Sequence, residues 1–344
     1  MLTRFYQHNL PPKPLFYELV AGWFNALFAD LFKLRQSLLA RLPLLAAALL
    51  LLQACSDNQA AQIAKYEQLA SEQVTELGRL LDSNQVRNAG ILSQYAQLLA
   101  QKDPQYQPLL QQLSLDATPQ GASYQALMRR LSAAKSATNF AAPEDQLQEL
   151  KNIYEAANPA IFNDLLSDPI NVIADLSQGQ LPRVNAMSKE AEMLANQADD
   201  FGPGSQLVGN PSYGEWQTAS NGSSFWAWYG MYAMLSNVIR PISYDSWSGR
   251  RGYSYYNDVG RYRYSSPEQI RRQDNFSAQR QKQFSSQGKP FVSPYAKNRS
   301  GSASLSTASR QAPSSPAQFR SNYSKSSSMR TSSSRTKLSL RRGK

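Results

Sequence analysis

The chain has 344 residues but only one cysteine, Cys55, and one histidine, His8. Residues 56–344 therefore cannot build a Ser-His-Asp or Cys-His nucleophile. Zinc sites of the His/Cys type are excluded as well. Carboxylate-only chemistry stays open, whether for hard cations or for glycoside hydrolysis. No Gly-rich phosphate loop occurs, and no internal repeat. No apolar run approaches the roughly 20 residues that a spanning helix needs. No Asp or Glu follows Asp274.

The charge that is present is divided along the chain. The formal net charge is +11. Residues 55–200 hold ten Lys/Arg and eighteen Asp/Glu, a net of −8, whereas residues 201–344 hold twenty-one and five, a net of +16. An acidic half followed by a basic half points to two different tasks.

Thirteen residues, nearly all Leu and Ala, separate Arg41 from Cys55. That is short for a membrane span and right for the about 7–15 residues of a secretory apolar region, with Arg35 and Arg41 as its positive flank. Leu52-Gln53-Ala54-Cys55 resembles the lipobox of bacterial lipoproteins: Leu at minus three, small Ala at minus one, then the cysteine that receives lipid. The resemblance covers these four residues and the preceding run. It implies a signal peptide over 1–54, diacylglycerol on Cys55, cleavage before it and an acylated new N-terminus. Several acyl chains suffice for stable anchoring. Ser56 matches outer-membrane sorting, so the implied location is the bacterial envelope, on the outer membrane facing the periplasm. Upstream, Phe16, Val20, Trp23, Phe24, Leu27, Phe28 and Leu31 fall at helical spacing. They suit an interfacial helix, or a start codon assigned too far upstream of a start near Leu34.

Residues 55–200 read as an acidic helical domain. Ile63, Tyr66, Leu69, Val74, Leu77, Leu80 and Leu81 keep one buried face. After a break at Asp82-Ser83-Asn84 the stripe resumes at Ile91, Leu92, Tyr95, Leu98 and Leu99. Thr118-Pro119 and Pro143-Glu144-Asp145 predict helix starts, and Ser188–Ala198 a last helix. A coiled-coil stalk over 58–100 is the alternative. The expected class is mainly α: a bundle-like region, then a small aromatic-rich α+β segment, then a disordered basic tail.

That aromatic segment, residues 201–274, carries four of the five Trp and nine of the eighteen Tyr. The uncharged stretch 225–239 suits a core helix, an interfacial patch or a docking surface. Further on, Tyr253, Tyr255 and Tyr256 precede Asn257-Asp258, and Arg261-Tyr262-Arg263-Tyr264 alternate, the pattern of a small hairpin. Trp226, Trp228, Trp247, Arg250, Arg251, Tyr253, Tyr255, Arg261, Tyr262, Arg263 and Tyr264 are thus candidates for stacking on sugar rings or bases while arginine holds an anion. The competing reading is an aromatic core covered by arginine stems.

Residues 275–344 hold fourteen Lys/Arg and no acid, and fifteen of the last 44 residues are Ser. Too little apolar surface is present to offset ordering entropy, so a disordered tail seeking polyanions is expected. Together these features describe a non-enzymatic envelope lipoprotein, without metal or cofactor. Its cationic tail would meet anionic lipid, lipopolysaccharide, peptidoglycan or an envelope protein. Two alternatives are a cell-wall glycan enzyme using Glu215, Asp245, Asp258 or Glu268, and an intracellular nucleic-acid binder if the signal reading fails.

Overall fold

In the computed structural model the described residues are 58–295, 299 and 301–311. The lipobox and everything before residue 58 lie outside them, as do residues 312–344. The architecture is mainly α, as expected, with one two-stranded sheet.

Helix α1 covers residues 58–82. Ala70, Val74, Leu77 and Leu81 stand three or four apart along it and are all buried in the core, so one stripe meets the rest of the protein. Burying the stripe there excludes the free coiled-coil stalk. The expected break falls where Asn84 takes a left-handed φ of 53°, a conformation asparagine tolerates. Helix α2 (Arg87–Lys102) follows, and then α3 (Gln107–Ser114).

Helix α4 (Ala122–Ala134) starts later than Thr118-Pro119 suggests. The delay has a physical cause. Asp116 accepts the Ala122 N–H at 3.0 Å and so caps the helix from outside. Gly121 permits the tight turn between them, because a Cβ there would lie 2.6 Å from the Asp116 Cα. Helix α5 (Pro143–Ala156) opens where expected, with Glu144 and Asp145 in its first turn. Asn158 caps α6 (Pro159–Leu165) through the Ala160 N–H at 2.9 Å. Helix α7 (Ser167–Leu176) is the most enclosed: Ile170, Val172 and Ile173 are wholly buried, and the helix packs on α2. Ser188 caps α8 (Lys189–Asn196).

Strands β1 (Gly214–Thr218) and β2 (Ser224–Trp228) pair antiparallel, with Trp216 opposite Trp226. The stretch 225–239 is therefore not one core helix. It is β2 followed by the 3-10 stretch Gly230–Asn237, which leaves Phe225, Tyr229 and Met231 exposed. Helix α9 (Tyr244–Arg250) comes next.

The expected Tyr/Arg hairpin is absent. A π-helical stretch, Tyr256–Gly260, runs directly into α10 (Arg261–Tyr264). Four alternating residues are too few to separate a period of 2 from one of 3.6 when both residue types can be buried. Here both are. Arg261 donates to Asp274 at 2.5 Å, Arg263 to Glu155 at 3.1 Å, and the Tyr264 hydroxyl to the Ala156 carbonyl at 2.9 Å. With these polar tips engaged, rings and stems become core.

Helix α11 (Pro267–Ser286) begins with a full capping box, Ser266 with Gln269. Disorder from residue 275 is thus corrected for the described part of that segment. Phe276 packs on Tyr244, with ring centroids 4.9 Å apart, and Arg280 donates to Asp245 at 2.8 Å. Farther on, Ser306 donates to Asp164 at 2.8 Å, and Ser309 meets the Tyr255 hydroxyl at 2.8 Å within α12 (Thr307–Arg310). Composition misleads because a few large side chains and well-placed hydroxyls stand in for apolar area.

A single buried cluster extends from Ala70 to Tyr264. It passes through residue 200 without a break, since Leu207 and Val208 lie in it with Ile173, and α7 packs on the 3-10 stretch Ser205–Leu207. The acidic and aromatic segments therefore share one core.

Candidate functional site

The expected binding residues do not form a surface. Trp226, Trp247, Arg251, Tyr253, Tyr255, Arg261, Arg263 and Tyr264 are buried, Trp228 and Tyr262 are half-buried, and only Arg250 is exposed. The aromatics pack on one another. The Trp216 ring lies 5.2 Å from Trp226, 5.0 Å from Trp247 and 4.9 Å from Tyr244, in edge-on or tilted geometry. Such pairs add about 0.5–1.5 kcal/mol each beyond their burial. Stacking on a sugar or base from solvent is closed to the buried rings.

The carboxylates of this segment are also committed. Arg251 grips Asp258 through two bonds of 2.8 and 2.6 Å, Arg280 holds Asp245, Arg272 meets Glu268 at 2.6 Å, and Arg261 meets Asp274 at 2.5 Å. Glu215 accepts from Gln217 at 3.3 Å. A glycosidase needs one carboxyl held protonated opposite a second, ionised one. Four of these five carboxylates are each matched with a guanidinium, and Glu215 is not.

Two other carboxylates are deeply buried and carry raised pKa values. Burial pushes Asp116 up to about 6, opposed by hydrogen bonds from Tyr213, Ala122 and Tyr232. Burial likewise pushes Asp168 up to about 7, opposed by the Tyr256 and Tyr255 N–H groups. Perturbed acids often mark catalytic sites. Both of these are enclosed and hold backbone N–H groups that start helical segments, which is a structural duty.

One concavity among the described residues is a cleft of about 590 Å³, in the size range of small-molecule sites. Its walls come from the end of α8, from α9, from Phe284 near the end of α11, and from Pro290, Val292 and Arg299. Gln197 turns the chain away from α8 with a left-handed φ of 51° and opens one side. A second cavity, beside Arg183 and Glu192, is only about 30 Å³, room for about one water.

Arg299 distinguishes the cleft. Its guanidinium donates to three backbone carbonyls: Arg251 at 3.1 Å, Pro294 at 3.4 Å and Ser248 at 2.8 Å. Among the described residues no carboxylate lies within ion-pair reach of it. Burial, and after it the adjacent Arg251, lower its pKa to about 10, with Asp258 partly opposing them. Arg250 also lines the cleft, bound to Asp199 at 3.2 Å. Asp245 is occupied by Arg280. Ser246 and Ser248 supply hydroxyls, but the cleft offers them no free base. Its half-buried guanidinium, with donors left over, is chemically suited to an anion.

Of the residues selected from sequence, Arg250 and the candidate carboxylate Asp245 lie in this cleft. Arg299 carried no signal, since it sits within a stretch whose composition reads as solvated tail. Among the described residues no group of three or more His, Cys, Asp or Glu is placed to hold a metal, and no helix is long and apolar enough to cross a membrane. No protein-family model, curated protein or solved structure matches the chain.

Proposed function

We propose that this chain is a lipid-anchored protein of the bacterial envelope that binds rather than catalyses. The observation that carries the binding role is the fate of its charged groups. Arginine answers four of the five carboxylates of the aromatic segment, and the cleft between α8, α9 and the end of α11 holds a guanidinium without an acidic partner among the described residues. The anchor rests on Cys55 behind its Leu/Ala run. The cationic tail supplies the long-range attraction: residues 312–344 hold eight Lys/Arg and no Asp/Glu, and such charge gathers at anionic lipid, lipopolysaccharide, peptidoglycan or an acidic envelope protein.

The test is labelling with radioactive palmitate in a bacterial host, with membrane and soluble fractions compared for the wild type and Cys55→Ala. Label in the wild-type membrane fraction, lost on substitution, supports the anchor. No label in either form, with the protein in the soluble cytoplasm, overturns it. The basic tail would then favour the nucleic-acid reading, checked by the steep loss of nucleic-acid affinity with salt that phosphate contacts impose.

A further inference from the structure

We infer that the cleft between α8, α9 and the end of α11 binds an oxyanion headgroup joined to an apolar chain, with Arg299 holding the headgroup. A guanidinium has five N–H donors. Three carbonyls engage three of those on Arg299. They also fix the group in place, so little entropy is lost when the remaining donors meet a ligand. The neighbouring guanidinium of Arg251 is neutralised by Asp258, whereas Arg299 has no carboxylate partner among the described residues. A half-buried cation with no counter-charge is a costly arrangement that an anion relieves.

The rest of the cleft indicates which kind of group the headgroup carries. Phe284, Pro290 and Val292 form an apolar wall, and Val292 is exposed. An isolated apolar side chain on the surface needs no explanation, but these three on one wall of a cleft that also holds a cation make it amphiphilic. Asp245 does not repel an anion there, because Arg280 already neutralises it. The inference stands on this geometry and does not depend on the lipid anchor.

Gly249 makes the test selective. It lies in α9 on the cleft wall, and a Cβ placed there would meet only Val292, at 3.9 Å. The Cβ of Gly249→Leu therefore has room, and its side chain narrows the cleft from a position with better helix propensity. The full chain is titrated calorimetrically with dodecyl phosphate below its micelle concentration, then with inorganic phosphate and with the neutral dodecyl maltoside. The expected order is dodecyl phosphate tightest, inorganic phosphate weaker, and dodecyl maltoside without measurable heat. Gly249→Leu and Arg299→Gln are each expected to weaken dodecyl phosphate about tenfold or more, with the melting temperature of Gly249→Leu held or raised. Equal binding by Gly249→Leu assigns the heat to the basic tail and overturns the site. Equal binding of the neutral detergent overturns the role of Arg299. Equal affinity for inorganic and dodecyl phosphate overturns the apolar half of the inference and leaves a free-oxyanion site.

Discussion

The carboxylate of Asp168, on α7, accepts the backbone N–H of Tyr255 at 2.7 Å and that of Tyr256 at 2.9 Å. It thus caps the π-helical stretch before α10 from a helix more than eighty positions earlier. The most enclosed helix of the acidic half therefore sets where the Tyr/Arg segment begins to coil. Asp168→Ala leaves two buried N–H groups without an acceptor, at a cost of about 2–4 kcal/mol. Asp168→Asn keeps one acceptor and is expected to lose less. The urea midpoint measures both, and an unchanged midpoint in the alanine variant would refute the capping role.

Asp116 predicts a pH dependence. Tyr213 donates to it at 2.9 Å and Tyr232 at 3.3 Å, yet burial holds its folded pKa at about 6 against an ordinary 3.8. The folded state therefore binds this proton more tightly than the unfolded state. The resulting stability is fully present below pH 3.8 and is lost as pH rises through about 6. For a shift of about two units the change is at most about 3 kcal/mol. Urea midpoints at pH 4 and pH 7 should differ by less in Asp116→Asn than in the wild type. Equal differences would show that Asp116 does not titrate across this range.

Arg130 and Glu149 form a buried two-bond pair at 2.7 and 3.0 Å, and Arg130 also donates to the Arg263 carbonyl at 2.5 Å. Removing either partner strands a charge in the core and is expected to cost about 3–5 kcal/mol. The double variant Arg130→Met/Glu149→Leu should recover part of that loss. A double variant as unstable as the sum of the two singles would mean that the pair is not coupled.

Shortening the chain separates composition from structure. Ending it at residue 311 removes none of the described contacts, and the melting temperature is expected to hold. Ending it at Asp274 removes Phe276 from the tryptophan cluster, Arg280 from Asp245, and Ser306 from Asp164. Cooperative thermal unfolding, followed by circular dichroism, should then be lost or shifted down by many degrees. A shortened chain with an unchanged melt would restore the disordered-tail expectation for residues 275–311.

Much of the helical half was legible. Val74, Leu77 and Leu81 of the expected stripe, the break at Asp82-Ser83-Asn84, Pro143 with its acidic first turn and the Ser188 cap are local signals, each satisfied within a turn or two of chain. The Tyr/Arg stretch was not legible, because a tyrosine or arginine reports burial only when its polar tip has found a partner. Those partners, Ala156, Glu155, Ser309 and Asp274, lie between 13 and 108 positions away. The cleft was hidden for the same reason: Arg250 could be chosen from its aromatic neighbourhood, whereas Arg299 is placed by the carbonyls of Ser248, Arg251 and Pro294.

By itself, then, the sequence determined the helical class, the division of charge, the absence of histidine and cysteine chemistry beyond Cys55, and the resemblance at Cys55 that implies lipidation. Tertiary structure alone decided which cations are neutralised. Net charge is a sum over the chain, but whether a given guanidinium meets a carboxylate, a carbonyl or a ligand depends on distances of a few ångströms that folding sets.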